Sequence, residues 1–149
     1  VYATVDTLGN LLLALERWAE AKPYFELLLK KPLYRTPYLA YNNLGWASFN
    51  LGELDEAIKA YEMALFLNPK FCLAHNNLGR LFAQQGETKR ALEAFEKAVE
   101  LCPKYAEPHY FLGRIFAALQ APARAAQHFT SCRDLAPDSP YGIKCKEAL

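Results

Sequence analysis

Nowhere does this chain run apolar for anything near the roughly 18 residues that a membrane-spanning helix needs. No such run exceeds five residues, and that from Leu11 to Leu15 reads as core. Neither sign of charge is in excess. The 17 Lys and Arg are interspersed with 16 Asp and Glu for a formal net charge of +1, which argues against the basic footprint that nucleic-acid binding wants, so no nucleic-acid partner is expected. The four cysteines, at 72, 102, 132 and 145, form no CxxC pair, so no zinc ribbon and no metal is expected. Also missing are a glycine-rich phosphate loop and any Ser/His/Asp or paired-carboxylate arrangement. The expectation is therefore a protein without catalytic residues and without a cofactor. With 149 residues, 52% of them hydrophobic, the chain is one ordinary globular domain's worth.

What the chain does have is repetition. Gly45, Gly79 and Gly113 lie 34 residues apart, and each follows a leucine: Leu44, Leu78 and Leu112. Twelve residues after each glycine comes Ala57, Ala91 or Ala125, and four further on Tyr61, Phe95 or Phe129. Pro69, Pro103 and Pro137 close the units. An earlier copy runs through Leu8, Gly9, Ala21 and Phe25, but its glycine precedes Gly45 by 36, which implies a two-residue insertion. This is the tetratricopeptide pattern. The small residues let the two antiparallel helices of a unit approach closely, and stacked neighbours bury what one pair cannot bury alone. The fold expected is all-α, a right-handed tetratricopeptide solenoid forming a single domain over 1–149. Its repeats fall at 2–35, 38–71, 72–105 and 106–139, and 140–149 reads as a capping helix in which Ile143, Ala148 and Leu149 cover the end of the stack.

Several local readings follow from the repeat phase. The stretch Lys30 to Pro37, with two prolines, is a lengthened junction. Glu93 with Lys97 is a solvent-face pair. Cys132 stands where Ala64 and Ala98 stand in the preceding repeats, so it reads either as a small buried thiol or as half of a disulfide with Cys145 that clips the last helix onto the last repeat. His75 and His109 share one phase, where a packing aromatic is expected, and read as core-edge residues; His128 reads as a lone surface histidine.

The inward face of each first helix falls at the second, fifth, sixth, ninth, twelfth and thirteenth repeat positions, since a 3.6-residue period returns these to one side. The candidate partner-binding residues come from that face: Asn42, Asn43, Trp46, Phe49 and Asn50, then Asn76, Asn77 and Arg80, then Tyr110, Phe111 and Arg114. Asp6, Thr7 and Asn10 are their counterparts in the first unit. Asparagine is a mediocre helix former, yet Asn42-Asn43 and Asn76-Asn77 recur one period apart. Such amides either grip the backbone of an extended peptide or bridge neighbouring helices. Trp46, Phe49, Tyr110 and Phe111 either floor an apolar binding patch or turn into helix packing.

From Leu33-Tyr34 through Asn43-Leu44-Gly45, about positions 33–50, the chain resembles the tetratricopeptide pilotins of bacterial type IV pilus systems. That resemblance implies a lipoprotein on the periplasmic face of the outer membrane, with about six repeats. It would act as a monomer that binds subunits of the pilus secretin and promotes their localisation or multimer assembly. Its membrane attachment would be a lipid anchor upstream of Val1, in keeping with a processed or trimmed chain. Only Leu33, Tyr34, Asn43, Leu44 and Gly45 carry over from the family. The alternative is a cytoplasmic cochaperone or adaptor that grips a peptide's C-terminal carboxylate through Asn43, Asn77, Arg80 and Arg114, although Asp6 stands where such a clamp tends to place a lysine.

Overall fold

The computed structural model describes all 149 residues. The chain is helical throughout: α1 (Tyr2–Ala14), α2 (Trp18–Leu29), α3 (Pro37–Asn50), α4 (Leu54–Leu67), α5 (Cys72–Gln84), α6 (Thr88–Leu101), α7 (Ala106–Ala118), α8 (Pro122–Leu135) and α9 (Pro140–Ala148). Proline opens α3, α8 and α9, where its missing N–H costs nothing. Within each hairpin the first helix ends in one left-handed residue: Glu16, Gly52, Gly86 and Gln120, with φ of 57°, 80°, 78° and 59°. Glycine takes this conformation without strain in the two middle hairpins. No helix is long and apolar enough to cross a membrane.

Tertiary contacts divide the chain into two compact units, Val1–Ala74 and His75–Leu149, where the repeats alone suggest one domain. In the first unit α1 packs on α2, α2 on α3 and α3 on α4. Ala21, Phe25, Leu28 and Ala40 make a core that Leu12, Leu13, Tyr34 and Leu44 flank. The repeated glycines explain how the helices close. A Cβ on Gly9 would lie 2.8 Å from the Phe25 ring, and one on Gly45 would lie 2.7 Å from Tyr61. Lys22 on α2 reaches Glu53 at 2.5 Å and Glu56 at 3.2 Å, tying α2 to the start of α4. Burial alone would lower the Lys22 pKa, but the two carboxylates outweigh it and raise it.

In the second unit, Gly79 meets Phe95 and Gly113 meets Phe129 in the same way. α9 docks on both α7 and α8. Ser139 caps it by accepting from Gly142 N at 2.9 Å, and a disulfide joins Cys132 to Cys145. None of the four cysteines is a free thiol, which replaces the buried-thiol reading.

Three local expectations are corrected. Leu11 and Leu15 are 52% and 56% exposed, because α1 offers its core only the face carrying Leu12 and Leu13. α9 buries Gly142 and Cys145, while Ile143, Ala148 and Leu149 stay exposed: the disulfide fixes which side of this short helix turns inward. Lys97 pairs with Glu100 at 3.4 Å, three residues along the helix.

Candidate functional site

The face of the first unit is built by α1 and α3. Asn43 donates from Nδ2 to Asn10 Oδ1 at 2.9 Å, a rung between two successive first helices. Trp46 stacks on Phe49 with ring centroids 5.7 Å apart and meets Trp18 edge-on at 6.3 Å. All three rings are half-buried, so they offer apolar area without leaving the helix surface. Asn50 is exposed, but its Nδ2 donates to the Trp46 carbonyl at 2.8 Å. Asn42 is 3% exposed and belongs to the interior. It is thus corrected from a binding residue to a packing one. At sixth-position Asn43 the helix surface faces outward; at fifth-position Asn42 it has already turned into the stack.

In the second unit both Asn76 and Asn77 are buried, so neither stands as a rung of an open ladder. Asn76 donates from Nδ2 to the Tyr105 hydroxyl at 3.2 Å and to the Glu107 carboxylate, bridging α5 to α7. The Tyr105 hydroxyl also donates to Glu107 Oε2, at 3.2 Å. Burial, and then the adjacent Glu107 charge, push the Tyr105 phenol well above its usual pKa, so it keeps the proton it donates. Arg80 Nη1 lies 3.8 Å from Glu107 Oε1, and its guanidinium sits 5.1 Å from the Phe111 ring centroid.

Around this polar floor the aromatics assemble. Phe111 lies flat against Phe95 at 5.2 Å, which makes it half packing and half surface. Tyr110 touches Phe111 edge-on at 5.2 Å, and Tyr141 from α9 closes on both, at 5.3 Å from Tyr110 and 5.6 Å from Phe111. Arg114 and Lys144 each lie 5.7 Å from the Tyr110 ring. The arrangement can hold an apolar side chain among rings whose rims carry cations.

Trp18, Tyr105, Tyr141 and Lys144 were not among the residues picked from the sequence. For two of them a signal existed: carrying the repeat phase past 139 puts Tyr141 at the second position and Lys144 at the fifth. Both are inward-facing positions, hidden by reading 140–149 only as a cap. Trp18 opens a second helix and Tyr105 closes a link, outside the first-helix template. His109 is buried as a core-edge residue, but His128 is not alone: the two Nδ1 atoms lie 3.0 Å apart, and His128 stacks on Phe116 at 5.5 Å.

The tetratricopeptide repeat family pattern matches residues 38–71, and a second pattern, described as a TPR repeat, matches 79–120; together they cover just over half of the chain. No curated protein matches it in sequence. Among solved structures it is similar to PilW, described as a widely conserved type IV pilus biogenesis factor. The identity is 25% over 97% of this chain and 66% of PilW, with a TM-score of 0.81. It is similar in fold to pilF of Pseudomonas aeruginosa, at 17% identity over all of this chain and 67% of that one, with a TM-score of 0.78. It is likewise similar to MamA of Desulfovibrio magneticus RS-1, at 23% identity over 94% of this chain and 78% of that one, with a TM-score of 0.74. The last two identities speak for the fold alone. With its repeat phase, its helix pairs closed on glycine and these matches, the chain belongs to the tetratricopeptide repeat proteins, a fold that serves as a scaffold for binding other proteins.

Proposed function

We propose that this protein is a type IV pilus pilotin, which binds subunits of the outer-membrane secretin and promotes their localisation or assembly into multimers. The observation that carries the reading is the likeness to PilW along 97% of the chain. The pilotin-like stretch from Leu33 to Gly45 agrees with it. So does the pairing of Cys132 with Cys145, which suits an oxidising compartment such as the periplasm and disfavours a cytoplasmic adaptor. A carboxylate clamp is disfavoured further because Asn77 is buried and Arg80 already faces Glu107. In this reading the protein works on the periplasmic face of the outer membrane.

The physical task is to shield strand edges and membrane-seeking surface of secretin subunits until their neighbours arrive. On the first unit Trp46 with Phe49 offers apolar contact area for such a segment and Asn43 a hydrogen bond beside it; on the second unit, taken by itself, Tyr110 with Phe111 and Arg114 offer the same two kinds of contact. Trp46→Ala combined with Tyr110→Ala is expected to abolish secretin multimers in cells while far-UV circular dichroism of the purified variant stays unchanged. Normal multimers in cells carrying the double variant would overturn the proposal.

A further inference from the structure

Apart from terminal Val1, the two most exposed large apolar side chains of the protein are Phe66, at 79%, and Leu33, at 76%. Both belong to the first unit, and both sit where a second helix hands over to the next first helix. Leu33 is in the lengthened link 30–36, and Phe66 is in the last turn of α4 before the link 68–71. Tyr38, in the first turn of α3 just after the first link, meets Phe71 of the second link with ring centroids 5.1 Å apart, so both links lie at the same end of the helix pairs. That end also gathers cations. Lys30, Lys31, Arg35 and Lys70 are all exposed, and none is in an ion pair. By contrast, Arg17 and Lys22 of the same unit are paired with carboxylates. Neither link contains an acid; Glu26 and Glu62 lie a turn back on α2 and α4, and Asp6 of α1 is felt at Tyr34 in the first link.

The fold does not require this composition. One and two periods after Phe66 stand Glu100 and Asp134; after Lys70 the lysine recurs once, as Lys104, and then gives way to Asp138. We propose that this end docks peripherally on an anionic lipid surface, with Phe66 and Leu33 entering the acyl boundary while Lys30, Lys31, Arg35 and Lys70 meet headgroup phosphates. Protruding apolar tips with cations close by in the chain suit a fluid surface that closes around them and a negative potential that attracts them. A folded protein would need matching pockets at fixed spacing instead. The inference goes beyond the pilus reading and does not depend on it, since its test contains no other protein.

The test is co-sedimentation of the 149-residue protein with vesicles of phosphatidylcholine alone and of phosphatidylcholine mixed with phosphatidylglycerol, at low and high salt. Binding is expected only with the anionic vesicles, weakening as salt rises. Leu33→Asp with Phe66→Asp, and separately Lys30→Glu with Lys31→Glu, are each expected to weaken it by about tenfold or more. Ile143→Asp, at an exposed apolar position of the second unit, should leave it unchanged. Circular dichroism checks that each variant is folded. Equal binding to both vesicle types, no binding, or variants that bind like the wild type would overturn the proposal. So would a solution dimer that Phe66→Asp disperses, which would make this end a self-association surface.

Discussion

At Gly79 a single added carbon would sit 2.7 Å from the ring of Phe95, a side chain with no exposed area and so little room to retreat. Alanine normally stabilises a helix interior relative to glycine by up to about 1 kcal/mol. Here the overpacking outweighs that gain, and Gly79→Ala is expected to cost about 1–3 kcal/mol in urea unfolding. The left-handed turn residues carry the opposite prediction. Gln120 holds φ of 59° where Gly52 and Gly86 stand in the middle hairpins, so Gln120→Gly should stabilise by about 1 kcal/mol in the same assay. The spacing of glycine and aromatic was legible because it recurs. The fates of the asparagines were not: adjacent helix positions differ by about 100°, so periodicity places Asn42 and Asn43 together at the margin of a face, and only the neighbouring helix decides that Asn42 goes inside.

Among the elements, α9 is held by two unlike devices. Gly142 lets its first turn lie against Ala136, whose carbonyl oxygen leaves no room for a Cβ, and the bond from Cys132 to Cys145 closes a 13-residue separation. Loss of that crosslink through Cys145→Ser is expected to remove roughly 3 kcal/mol of stability, the figure for a loop of this size. Amide hydrogen exchange should then show α9 losing protection before α7 and α8. If α9 stayed as protected as its neighbours, packing alone would be holding it. The sequence marked the start of this helix through Pro140, but its apolar pattern pointed to Ile143, Ala148 and Leu149 as the inward side, where the structure turns in Gly142 and Cys145. That side sets which rings of the second unit are covered, because Tyr141 reaches Tyr110 and Phe111 only with Cys145 turned inward.

At the scale of the whole molecule, acid is expected to weaken the fold through a histidine pair of which His109 is buried and His128 half-buried. His109 has its pKa lowered by burial and then by His128; His128 has its own lowered by burial and then by Arg124. Each histidine therefore takes up a proton more readily unfolded than folded. Stability should be full above the ordinary histidine range and fall as pH drops below about 6.5. One Nδ1 must donate and the other accept across 3.0 Å, so a second proton sets two donors against each other. Thermal melts at neutral and mildly acidic pH should show a drop in midpoint that His128→Phe reduces. An unchanged pH dependence in that variant would mean that other groups carry it.

The sequence by itself determined the helix pairs and their 34-residue period, the closing of each pair on a glycine and an aromatic, the lengthened junction and the tetratricopeptide identity. All of these are short-range consequences of a pattern written several times over. Only the tertiary structure decided which asparagines are interior, which cysteines are joined, that Leu11 and Leu15 face outward, and that Glu107, Tyr105 and Asn76 form one polar floor under the aromatics. Those outcomes depend on what stands across from a residue, and a repeat template is silent there: it fixes the phase of every position while the neighbours that bury or expose it change from one unit to the next.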